Sequence, residues 1–142
     1  MLRGSGRFAF TVWSSVDHAL QQLLIDAIGH SGVPGSSLPA PPQGDINNID
    51  TCQRLLLESG FSADHSSFRK LEARVAVSSA ASLIEMLAKG TARASALIRL
   101  QPDEAMPAVV AALDAAMAQY RSKTSEVFEI PAVAILAVGT RT

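Results

Sequence analysis

The residues best equipped for chemistry in this 142-residue chain are three histidines, one cysteine and a scatter of serines. His18, His30 and His65 stand at no ligand spacing, and Cys52 has no second cysteine beside it. No zinc or iron site is predicted from that pattern. Cys52 shares a predicted helical face with Leu55 and Leu56, where a thiol behaves as a small hydrophobe and nothing lowers its pKa. Ser14, Ser15, Ser66 and Ser67 lie outside any G-x-S-x-G elbow, which removes the usual hydrolase signal. Gly4-Ser5-Gly6 has the form of a phosphate-binding turn, but it precedes a strand instead of opening a helix and reads as a tight turn. Two sets of side chains remain as candidate substrate contacts. Trp13 closes the first predicted strand, at the end where open α/β sheets place ligands. Met106, Met117 and Tyr120 form a stripe at helical spacing that could line an apolar acceptor pocket. Core packing is the plainer reading of both sets, and no residue qualifies as catalytic.

The elements that would position these residues follow from periodicity. Arg7 to Trp13 (RFAFTVW) is apolar on both alternations, the pattern of a strand buried on both faces. Ser14 to Asp17 has a capping-box form before a helix carrying Leu20, Leu23, Leu24, Ala27 and Ile28, with Gly29 and Gly32 as its stop. Residues 31–46 hold four of the seven prolines and form a Pro/Gly-rich loop. Asn47 or Asn48 caps a short helix through Glu58, and Gly60 ends it. His65 to Val77 reads as a strand with one wet face and a break of phase at Phe68. Leu83, Ile84 and Leu87 mark a helix ending at Gly90, and Thr91 caps another carrying Ala94, Leu97 and Ile98. The strongest helix comes after Gln101, with Pro102 in its first turn and Asp103 and Glu104 at the positive end of its dipole. A last strand runs to the C-terminus, apolar on both faces from Ala132 to Val138. The expectation is one α/β domain over residues 1–142, with three strands and about five helices.

Bulk composition narrows the function classes. Twelve Lys and Arg against 13 Asp and Glu leave a net charge of −1, which gives no broad attraction for nucleic acid or an anionic membrane surface. No apolar run reaches the ~18 residues needed to span a bilayer. One cysteine excludes an internal disulfide, and sparing use of thiols fits a cytoplasmic setting.

Three short segments carry a family resemblance. Leu2, Arg3, Gly6 and Arg7 resemble the Leu-Arg-Pro-Gly-Gly-Arg turn before the fifth strand of class I S-adenosylmethionine-dependent methyltransferases, especially the quinone-biosynthesis C-methyltransferase type. Leu55-Leu56 through Ser59-Gly60-Phe61 is similar to that family's helix end before strand six, and Ile130-Pro131-Ala132 to the opening of strand seven. Gly4 and Ser5 depart from the family's Pro and Gly. The match spans essentially the whole chain. It implies a partial Rossmann-like fold, a three-stranded mixed sheet in the order five, seven, six. It also implies that the donor-binding turn and the ribose-binding acid lie upstream of Met1, so the isolated chain holds no S-adenosylmethionine and is inactive alone. Its partner would be a second copy or the missing N-terminal half, docked on the edge formed by Arg7, Phe8, Phe10, Val12 and Trp13. A dimeric small-molecule-binding module and one half of a split methyltransferase are the alternatives.

Overall fold

The computed structural model describes residues 6–33 and 46–141. The Leu2-Arg3 turn and the body of the Pro/Gly-rich loop lie outside the described residues. Along the chain come β1 (Arg7–Trp13), α1 (Ala19–Ser31), α2 (Ile49–Glu58), β2 (Ser66–Val77), α3 (Ala80–Gly90), α4 (Ala92–Arg99), α5 (Met106–Met117) with a 3-10 turn at Ala118–Tyr120, and β3 (Phe128–Thr140). The fold is mixed α/β with a three-stranded sheet in the order β1-β3-β2. Both ladders are antiparallel, so β1 and β2 run the same way on either side of β3.

Local chemistry explains most element boundaries. Asn48 caps α2 by accepting from the Thr51 amide at 2.9 Å, and the Thr51 hydroxyl accepts from the Asn48 amide at 3.3 Å, a reciprocal capping box. The helix stops because Gly60 takes a positive φ of 82°, which lets the Phe61 amide reach the Leu56 carbonyl and the Gly60 amide the Leu57 carbonyl, both at 3.0 Å. Thr91 caps α4 and Ser79 caps α3, each through its hydroxyl.

Four sequence expectations are corrected. α5 starts at Met106 with Pro107 in its first turn and no side-chain cap, so Pro102, Asp103 and Glu104 belong to the turn before it. Ser14 does not cap α1; its hydroxyl and Asp17 close a separate turn, and the helix begins at Ala19. Gly29 lies inside α1, which continues to Ser31. β1 is not buried on both faces, because it is an edge strand with Phe8 44% and Trp13 57% exposed.

The described residues fall into two compact units. One gathers residues 6–18, 46–73 and 132–141. Its core is Cys52 and Leu56 from α2 against Ile135 and Ala137 of β3, with Phe10, Val12, Ile49, Phe61 and Phe68 packed around them. Gly139 is required there, since a Cβ at that position would stand 2.9 Å from the Phe61 ring and 3.1 Å from Leu56. The other unit gathers residues 19–33 and 74–131 and is helical in the main. α1 packs on α5, and α3 on both α4 and α5. Leu24, Leu83, Val109, Leu113, Met117 and Ile130 are its largest fully buried side chains. Gln101 ties the end of α1 down: its amide bonds both backbone groups of Val33, at 2.7 and 2.9 Å, and the Leu97 carbonyl at 3.0 Å.

Candidate functional site

β1 pairs with β3 from Arg7↔Thr140 to Trp13↔Ala134. Which of its backbone groups face the partner can be fixed from the ladder's ends. The Arg141 amide bonds the Gly6 carbonyl at 3.0 Å, and the Ser14 amide bonds the Val133 carbonyl at 2.9 Å. Gly6 and Ser14 therefore belong to hydrogen-bonded pairs, and so by alternation do Phe8, Phe10 and Val12. The amides and carbonyls of Arg7, Ala9, Thr11 and Trp13 point the other way, to the open edge. Among the described residues none of them has a backbone partner there.

Side chains divide by the same parity. Those of Phe10 and Val12 pack on the Cys52 and Leu56 core, and the Phe8 ring lies 5.7 Å from Phe10 and 6.0 Å from Phe61. Ala9 and Thr11 are exposed on the opposite face, across from Val138 and Leu136. On that face Ser67 and Arg69 of β2, with Leu136 and Val138, border a hollow of about 390 Å³. The open edge thus borders a sheet face floored by aliphatic side chains.

At the C-terminal end of β1 the Trp13 indole stacks on the His18 imidazole, with centroids 4.3 Å apart and planes 25° from parallel. Burial holds the His18 pKa below its ordinary value by disfavouring the charged ring. Its Nδ1 is buried and has no hydrogen-bond partner among the described residues. Beside it, Asp17 accepts from the Lys70 ammonium at 2.6 Å and from the buried Ser14 hydroxyl at 3.2 Å. The hydrogen bond from Lys70 lowers the Asp17 pKa, and the same bond raises that of Lys70. This end offers a flat aromatic surface backed by a neutral imidazole. It has the chemistry of a stacking platform, with no nucleophile aimed over it among the described residues.

The sequence-predicted site residues are dispersed. Trp13 belongs to the first unit and Met106, Met117 and Tyr120 to the second. Met117 is fully buried among the helices, Met106 is half-buried, and Tyr120 borders an open groove. Of the predicted edge residues, Arg7 and Trp13 offer backbone to the open edge, whereas Phe10 and Val12 serve the core. Ala9 and Thr11 escaped the sequence reading because small residues carry no apolar signal. Parity around Phe10 is the signal that identifies them. His18, five residues beyond Trp13, fits neither strand nor helix spacing, so no periodicity in the sequence signals the stack.

No protein-family model matches the chain, and no curated protein matches it. Among the described residues no helix is long and apolar enough to cross a membrane.

Proposed function

We propose that this chain corresponds to the C-terminal half of a class I methyltransferase-like fold, without the half that binds the methyl donor. Alone it neither binds S-adenosylmethionine nor transfers methyl groups, and it self-associates through the free edge of β1. The observation that carries the reading is the sheet order. A long antiparallel β3 lies between β1 and β2, the arrangement implied by the resemblance of the three strands to five, seven and six. In that fold strand five is an interior strand, which accounts for an apolar β1 whose outer edge is open here. The absence of a donor site follows from the resemblance alone, since the matched segments are those of strands five to seven, whereas that family's donor contacts follow strands one, two and four.

A second copy fits the open edge. Antiparallel pairing of β1 with β1 about Phe10 sets Arg7 opposite the neighbour's Trp13 and Ala9 opposite its Thr11. These are the residues whose backbone groups face outward, so about eight interchain hydrogen bonds form with no change to the β1–β3 ladder. Arg7 over Trp13 adds a cation–π contact, and Phe10 meets its own copy. Light scattering on the eluting species tests self-association, and a monomer at micromolar concentration overturns it. Isothermal titration tests the donor: no heat with S-adenosylmethionine is expected, and saturable binding by the isolated chain overturns the methyltransferase-fragment reading. An upstream chain that supplies strand four would compete with the second copy for this edge, so donor binding that appears only on mixing with such a chain would identify the split-enzyme arrangement.

A further inference from the structure

Three cationic side chains line one groove on a chain whose net charge is −1. In the helical unit, the turn from Arg121 to Thr124 closes a groove of about 430 Å³ against Arg74 of β2 and Glu129 of β3. We propose that this groove binds a phosphate monoester of a small organic molecule. Arg74, Arg121 and Lys123 against the Glu129 carboxylate leave a formal excess of two positive charges, which matches a dianion better than a monocarboxylate. Among the described residues, no carboxylate lies within ion-pair distance of any of these three cations.

The groove is built by hydrogen bonds independent of any ligand. Arg121 bridges to Phe128, and the Ser122 amide bonds the Val127 carbonyl at 2.9 Å, which fixes the turn. The Arg121 guanidinium sits over the Phe128 ring, 4.9 Å from its centroid. That stacking orients the fork while leaving its N–H donors unspent. Arg74 is held by one bond, from Nη1 to the Glu129 carbonyl at 3.2 Å, so most of its donors are also free. The Ser122 and Thr124 hydroxyls, 3.4 Å apart, add neutral donors for phosphate oxygens. Tyr120 is the one aromatic of the lining and gives the organic portion a surface to lie on.

Titration of the full chain with phenyl phosphate, followed by amide chemical shifts in ¹⁵N-labelled protein, tests the proposal. Saturable shifts at low-millimolar ligand, grouped at residues 119–124, 74 and 129, are expected. Benzoate should bind at least tenfold more weakly, and inorganic phosphate should shift the same amides. Arg121→Gln should weaken phenyl phosphate roughly tenfold, and Glu129→Gln should tighten it by removing the opposing charge. Lys123 is exposed, so Lys123→Gln, expected to weaken binding severalfold, stands in should Arg121→Gln fail to fold. No saturable shift in the folded wild-type protein, equal affinity for benzoate, or insensitivity of binding to both charge-removing variants would overturn the proposal.

Discussion

Thr11→Pro and Val12→Pro form a pair of substitutions, one residue apart, that the geometry of β1 separates sharply. The Thr11 amide faces the open edge and takes no part in the β1–β3 ladder, so proline there removes no bond from the folded chain. In a dimer paired about Phe10 it removes one donor from each copy, two hydrogen bonds in all. At about 1 kcal/mol net for each bond, self-association weakens by about 2 kcal/mol, or about thirtyfold in Kd. The Val12 amide, by contrast, faces Ile135 within the ladder, and the Val12 side chain packs on the Cys52 and Leu56 core. Proline at 12 leaves the Ile135 carbonyl without its donor and trims the packing, at a cost of about 2–4 kcal/mol in folding stability. The assay is sedimentation equilibrium for Kd together with thermal denaturation monitored by circular dichroism. Thr11→Pro should shift the association equilibrium and leave Tm within a few degrees of wild type, while Val12→Pro should lower Tm strongly. An unaltered dimer in Thr11→Pro, or a large loss of Tm in Thr11→Pro with little in Val12→Pro, would refute the parity assignment.

Other expectations follow from single contacts. Trp13 is the chain's one tryptophan, and protonation of the stacked His18 should quench its fluorescence. The midpoint should lie below the ordinary histidine value near 6.5, and His18→Phe should abolish the transition. The depressed pKa also carries a stability sign. The unfolded chain protonates His18 first, so this contribution is complete above about pH 6.5 and declines as pH falls through the folded-state value, which denaturant titrations at several pH values would reveal. Gly139→Ala should destabilise by about 1–2 kcal/mol, since the new methyl group must displace the Phe61 ring, and chemical denaturation measures it. Gln101→Ala removes three hydrogen bonds from a buried side chain and should cost about 2–3 kcal/mol, with amide exchange accelerated at Val33. Cys52 is fully buried and burial raises its pKa, so it should react with a disulfide reagent only at the rate of unfolding or local opening.

Much of this fold is legible in the sequence because local chemistry and tertiary demand agree. Asn48, Thr91 and Gly60 mark helix boundaries that the backbone keeps, and the apolar run of β3 announces a strand bonded on both sides. The sequence pattern sets the start of α5 too early because Pro102, Asp103 and Glu104 have the composition of a first turn. Pro107 in the true first turn does the same job, and composition cannot choose between two such prolines. β1 reads as an interior strand since apolar residues fill both parities. Its exposed edge depends on what lies beside it, which the pattern of one strand does not encode. The Trp13–His18 stack and the basic groove share a different difficulty. The stack needs the turn at Ser14–Asp17 to fold His18 back on the indole. The groove needs β2 and β3 to bring Arg74 and Glu129 to a turn nearly fifty residues away in sequence from the first of them. Neither spacing is a period of any regular element.

The alternation along β1 assigns its two sets of residues to different masters. Even-numbered positions answer to the core beneath them and tolerate little change. Ala9 and Thr11 answer only to whatever meets the edge, so substitutions there drift with little penalty in folding, whereas Trp13 is also held by its stack on His18. A lineage carrying such a strand can therefore exchange one partner for another in a single step, by a charge at Ala9 or Thr11, while the rest of the molecule registers nothing. If β1 is the assembly edge proposed above, the specificity of that assembly is open to rapid evolution, and to redesign, in a way that the architecture is not.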